Sequence, residues 1–208
     1  MQKYREILQK YLPEAAVEEV YESIVRYKIH LRITKNRSTK LGDYRPVHKG
    51  QPHRISINHN LNPYAFLTTL IHEIAHLVVF ENYDHRVRPH GKEWKYCFRE
   101  IMQPYFGLEI FPYEVKTALH NYLKNPSSSS NANLTLSRIL KKYDNDSGDC
   151  IFIEELPEKS RFKIQNGKTF ERLEQRRKRI KCLCLDNKKL YLFDPLTKVI
   201  PLEANESE

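Results

Sequence analysis

Apolar residues recur with a helical period along much of this chain, and short alternating stretches break that pattern. Residues 2–12 and 14–27 read as helices divided by Pro13, with Glu14, Glu18 and Glu19 early in the second, where the helix dipole favours acids. Ile29-His30-Leu31-Arg32-Ile33 alternates and predicts a strand, followed by strands near 39–45 and 53–58. Asn62 and Pro63 are a helix cap and a first-turn residue, so a helix is expected over 63–82. Helices near 91–105 and 113–124 follow. Pro126 to Asn133 is polar and serine-rich, the composition of a flexible linker. A short helix at 135–142 then gives way to strand-like segments at 150–155, 161–165, 178–185 and 189–193. The expected class is α+β: a first domain over 1–125, a linker over 126–134 and a small β-rich module over 135–208.

The 63–82 helix carries the chain's most specific signal, His72-Glu73-Ile74-Ala75-His76. Histidines four apart lie on one helical face, so both imidazoles can reach one metal ion. Glu73 follows the first of them, where its carboxylate can reach a water on that metal. The bland alternative is a pair of ordinary polar histidines. Phe66, Leu67, Leu70, Ile71, Ile74, Leu77, Val78, Val79 and Phe80 make this helix apolar nearly all round, however, so it should be buried. Buried and unpartnered, His-Glu-His would be costly, and a metal removes that cost.

A catalytic zinc site normally has three protein ligands and one open position. His85 and His90 are the nearest downstream candidates. His85 sits between Asp84 and Arg86 in a charged loop, whereas His90 opens a helix that presents Trp94, Cys97, Phe98 and Ile101 at helical spacing. A ligand at the entry to a packed helix is held more rigidly than one in a loop, so His90 is the expected third ligand.

HEIAH, a gap of thirteen residues, then His90-Gly91-Lys92-Glu93-Trp94 resembles the SprT-like family of minimal zinc metalloproteases, which includes the DNA–protein crosslink protease Spartan. Arg37-Ser38-Thr39-Lys40-Leu41-Gly42 and Ile55-Ser56-Ile57-Asn58 are similar to the family's strands before the metal helix. The resemblance covers roughly residues 1–125. It implies a minimal zincin-like protease domain in which His72, His76 and His90 hold one Zn2+ and Glu73 is the catalytic base. The metzincin pattern, with its third histidine closer to the pair, is not followed. Nor is the zinc ribbon that follows the protease domain in many family members: Cys150, Cys182 and Cys184 lack its paired spacing. Those three cysteines remain weak candidates for a second metal, and the module reads as a ribbon-like fold held by apolar packing.

Composition supports a real core, with 40% hydrophobic and 11% aromatic residues. No apolar stretch approaching eighteen residues runs without polar interruption, so no spanning helix is expected. The N-terminus lacks an apolar signal region and the four cysteines form no CxxC pair, so a cytoplasmic protein with reduced thiols is expected, nucleoid-associated if it binds DNA.

Charge is localised. Residues 159–189 hold twelve Lys or Arg against three acids, and elsewhere acids and bases cancel, so this stretch accounts for the whole formal charge of +9. Such a cluster is the footprint of a polyanion binder. Arg161, Lys163, Lys168, Arg172, Arg176, Arg177, Lys178, Arg179 and Lys181 are the candidate nucleic-acid contacts, with Phe162, Phe170, Tyr191 and Phe193 available to stack on bases. The alternative is a solvated basic hairpin whose aromatics form a core. The leading expectation is a zinc endopeptidase acting on protein substrates near DNA, bound without sequence preference. A nucleic-acid binder with a structural or inactive zinc core and a small-molecule zinc amidase are the alternatives.

Overall fold

Pro13 splits the N-terminal helical segment into α1 (Gln2–Gln9) and α2 (Val17–Arg26), joined through a single 3-10 turn at Glu14–Ala16. The computed structural model describes residues 2–37, 39–83, 87–127, 133–144 and 150–202. A three-stranded sheet follows: β1 (His30–Thr34), β2 (Gly42–Arg45) and β3 (Arg54–Asn58), in the order β1-β3-β2. β1 runs parallel to β3 and β2 antiparallel to it, which leaves β2 on an edge. Strand alternation turns Ile55 and Ile57, both fully buried, to one face and Arg54 and Ser56 to the other.

The inward face packs on α3 (Pro63–Asn82). Asn62 caps this helix, its side-chain oxygen accepting from the Tyr64 and Ala65 N–H groups. The Asn62 amide also donates to the Leu140 carbonyl at 2.8 Å and the Asp144 carboxylate at 2.6 Å. α4 (Lys92–Gly107), α5 (Tyr113–Lys124) and α6 (Leu134–Lys141) complete the layer. By length and composition α3 could cross a membrane, contrary to the reading of the sequence. Twelve of its twenty residues are instead buried in the protein core, so its apolarity already has a packing role.

The chain divides into two compact units, Met1–Asp144 and Asn145–Glu208. This moves α6 out of the C-terminal module to which its sequence position assigned it. Leu136 and Leu140 enter the first core, and Asn62 binds the end of the helix, so α6 belongs with the elements it covers. Of the expected linker, residues 128–132 lie outside the described residues.

The second unit is a six-stranded sheet in the order β4-β9-β5-β6-β7-β8. Its strands are β4 (Ile151–Phe152), β5 (Arg161–Lys163), β6 (Thr169–Arg176), β7 (Arg179–Cys184), β8 (Leu190–Phe193) and β9 (Lys198–Pro201). All observed pairings are antiparallel. Ile153, Phe162, Phe170, Ile180, Cys182, Cys184 and Val199 form its core. Both cysteines are fully buried and Cys150 is half-buried; all are free thiols, and among the described residues they gather into no donor cluster. Cys182 and Cys184 fill space.

Candidate metal centre

His72 and His76 lie one turn apart on α3, and His90 faces them from the entry to α4. Nε2 of His90 is 2.9 Å from Nε2 of His76 and 3.2 Å from Nε2 of His72. Among the described residues this is the one cluster of three or more metal-donor side chains. His85 lies outside the described residues, and His90 fills the third position.

The backbone aims His90. Its φ is +57°, a left-handed conformation in which histidine is enriched among non-glycine residues. Gly91 then makes a close approach, since a methyl group there would sit 2.8 Å from the Arg88 carbonyl oxygen. Trp94, only 1% exposed, backs the cluster: its ring centroid is 4.6 Å from that of His72 and 4.8 Å from that of His90, and it stacks on Phe98. In the sequence Trp94 is a helix-periodic residue and the aromatic that follows His90 in the family pattern; its place one turn after His90 was the available signal for this wall.

The donor chemistry fits a cation. Burial, reinforced by the neighbouring histidines, lowers His72 to about 3, and burial with His90 lowers His76 to about 4; burial lowers His90 as well. The rings are therefore neutral near pH 7, and each can offer an Nε2 lone pair to a cation. Three nitrogens bound tetrahedrally at about 2.0–2.1 Å from zinc would lie roughly 3.3 Å apart. The spacing found here is already close to that.

Glu73 is 7% exposed on the next position of α3. Burial first, and Asp43 second, raise its carboxyl to about 7, while the Tyr44 backbone N–H donates to it and opposes the shift. β2 presses directly on this carboxylate. A methyl group at Gly42 would stand 2.6 Å from Glu73 Oε1 and 2.8 Å from Thr69 Cγ2, so only glycine fits. Tyr44 anchors the same strand: its hydroxyl lies 2.9 Å from His53 Nδ1, and His53 Nε2 lies 3.2 Å from Glu81 Oε1 at the end of α3. The sequence marked Gly42 as the end of a strand-like run, but neither its contact with Glu73 nor this bracket was visible there, because both depend on how an edge strand seats on a helix.

Gly42→Ala is expected to displace β2 or rotate Glu73, costing about 1–3 kcal/mol of stability through overpacking. A misplacement of about 1 Å at a reacting group costs on the order of 10²-fold in rate. Wild-type hydrolysis by this variant, measured with its metal content, would show that the close contact has no role.

Cavities flank the cluster. One of about 170 Å³ is lined by Gly42, Thr69, His72, Glu73 and Tyr122, and one of about 340 Å³ by Tyr44, His76, Arg88 and His90. The arrangement is a group of three neutral imidazoles that could hold a metal ion, with a buried carboxylate lining the smaller of the two openings. The chain belongs to the SprT-like family, whose model matches residues 9–117. It is similar to Protein SprT of Vibrio parahaemolyticus, 52% identical over 48 residues, which are 23% of this chain and 26% of that protein. Protein SprT of Actinobacillus succinogenes is 39% identical over 57 residues, 26% of this chain and 33% of that protein. The aligned part thus spans a third or less of these curated relatives. No solved structure matches the chain significantly.

The basic candidates of the second unit separate by strand parity. Arg161, Lys163, Lys168, Arg176, Arg177, Lys178 and Arg179 are exposed. Lys181 is half-buried and paired with Glu174 at 3.1 Å. Arg172 points inward at 8% exposure and is withdrawn as a surface contact. Phe162 and Phe170, 0% and 2% exposed, stack on each other in the core, so neither is available to a base. Arg176 to Arg179 form the tip of the β6–β7 hairpin, where Arg177 has φ +49°.

Proposed function

We propose that the first unit is a zinc-dependent endopeptidase and that the basic surface of the second unit holds it on DNA, where it cleaves bound or crosslinked proteins. The convergence of three neutral imidazoles beside a buried carboxylate carries this reading. Zinc on His72, His76 and His90 would polarise a carbonyl and bring the acidity of water into the neutral range.

The chain's own groups supply the rest. Glu73 Oε takes a proton from the attacking water as its oxygen bonds to the peptide carbonyl carbon. The carboxyl then returns that proton to the amide nitrogen as the C–N bond breaks. Burial makes this carboxyl a stronger base than an exposed one, which suits it to take the proton of water. The Tyr44 N–H fixes the carboxylate, and Gly42 lets it stand against β2. β2 is a sheet edge, so a substrate segment can lie along it in extended form from one cavity to the other.

A zinc core with a purely structural role leaves Glu73 without a reason to be buried. The test is cleavage of casein by zinc-loaded protein, with and without DNA, and after chelation. Absence of any cleavage of unfolded protein by the zinc-loaded chain overturns the peptidase reading.

For the second unit, replacing Arg176, Arg177 and Arg179 by Gln is expected to weaken DNA binding. If each contacts one phosphate of a single strand, the salt slope falls by about 2 units in log–log terms. An unchanged slope would remove the hairpin from the interface and leave the peptidase reading intact.

A further inference from the structure

The outward face of the three-stranded sheet in the first unit has a charge pattern that the metal centre does not use. β-Register places His30, Arg54 and Arg45 in one row across the strands, and Arg32, Ser56 and Asp43 in the next. Arg37 reaches in from the following loop, its Nε 2.8 Å from Asn58 Oδ1 and its guanidinium 3.1 Å from Ser56 Oγ. Together these residues line a cavity of about 260 Å³ holding four arginines and one acid. That acid is already matched: Asp43 pairs with Lys40 at 2.7 Å and Arg45 at 3.1 Å. Among the described residues, Arg32 and Arg54 have no acidic partner, and Arg54 Nε is buried with no acceptor. Such an orphaned donor is costly unless the guanidinium turns to meet an anion.

We propose that this face binds the phosphodiester backbone of a nucleic acid. Guanidinium forks match phosphate oxygens two at a time, and cross-strand rows set several of them in fixed register. Backbone N–H and C=O groups lie in the plane of a sheet, so an extended acidic peptide could pair only at the β1 or β2 edge and not across the arginine rows of the face. Among the residues named, the His30 imidazole at the end of one row is the one ring on this face, while the arginine forks fill the rest, so the contact is mainly with the backbone and carries little sequence preference. β2 ties this surface to the metal centre: Asp43 and Arg45 face outward, while Gly42 and Tyr44 face α3 and Glu73. A nucleic acid on the outer face therefore lies one strand's thickness from the carboxylate. This site is separate from the hairpin of the second unit and does not depend on hydrolysis.

The experiment is fluorescence anisotropy of a labelled DNA strand with the full chain, comparing wild type, Arg32→Gln/Arg54→Gln and the single Arg32→Glu. Zinc uptake and melting temperature are followed in parallel. The double variant is expected to bind roughly tenfold more weakly, with a salt slope lower by about 1.4. Arg32 is exposed and has no acidic partner among the described residues, so Arg32→Glu settles the matter if the double variant does not fold. Wild-type affinity and slope in Arg32→Glu would overturn the proposal, as would a wild-type chain that binds no DNA. Displacement of the DNA by poly-glutamate at equal charge concentration would overturn it in favour of an acidic-protein site.

Discussion

Glu73→Gln is expected to lower kcat/KM for an unfolded protein substrate by about 10²–10⁴-fold, the usual contribution of a positioned proton-transfer group. Bound zinc should stay at one equivalent, because Glu73 is outside the histidine cluster. Gln keeps the volume of Glu and can still sit against Gly42 and Thr69, so β2 should not move. The amide cannot take a proton from water, however, and cannot return one to the leaving nitrogen. Stability is also informative. Burying an ionisable carboxyl opposes its charged form, and that is why its protonation is pushed up to about 7. A neutral amide avoids this penalty, so the variant should melt no lower than wild type. Retained cleavage in metal-loaded Glu73→Gln would remove Glu73 from the chemistry. Loss of cleavage together with loss of zinc would instead show that it supports the ligands.

The parts of this molecule legible in the sequence are those written in a local period. The helix over 63–82 announces itself by Asn62-Pro63 and a long apolar run, and the structure starts and ends it there. His72 and His76 follow from spacing on that helix, and His90 from its position before the next one. What was not legible depends on contacts distant in the chain. β6 was missed because its inward face carries Arg172 beside Phe170, and a register shift between Arg172 and Gln175 breaks the alternation. β9 was missed because it is four residues long and ends on Pro201. The face of the basic stretch could not be fixed from sequence, and of its nine candidate contacts strand alternation sends Arg172 inward. The arginines of the first sheet were overlooked for the opposite reason. Arg32, Arg45 and Arg54 are scattered in a charge-balanced region, and only the pairing of three strands collects them.

His90→Gly tests the metal centre without confusing ligand loss with backbone damage. His90 holds φ +57°, a conformation that disfavours side chains with a Cβ by roughly 1–2 kcal/mol. Alanine would keep that cost while losing the imidazole, whereas glycine relieves it. In the absence of metal, His90→Gly should therefore be about as stable as wild type or more so, relief of the backbone offsetting the lost ring contacts at 2.9 and 3.2 Å. With metal the order reverses. Zinc binding only the native state at a free concentration 100 times its Kd stabilises the wild type by about 2.7 kcal/mol. Loss of a direct ligand should weaken binding at least as much as loss of a ligand's hydrogen-bond partner, which costs about 10–100-fold. At the same zinc concentration most of the stabilisation should vanish in the variant. Thermal melts of both proteins, with chelator and across a zinc titration, read the two effects separately. A variant that melts as wild type does in both series would mean that His90 faces the α3 pair without sharing a metal with it.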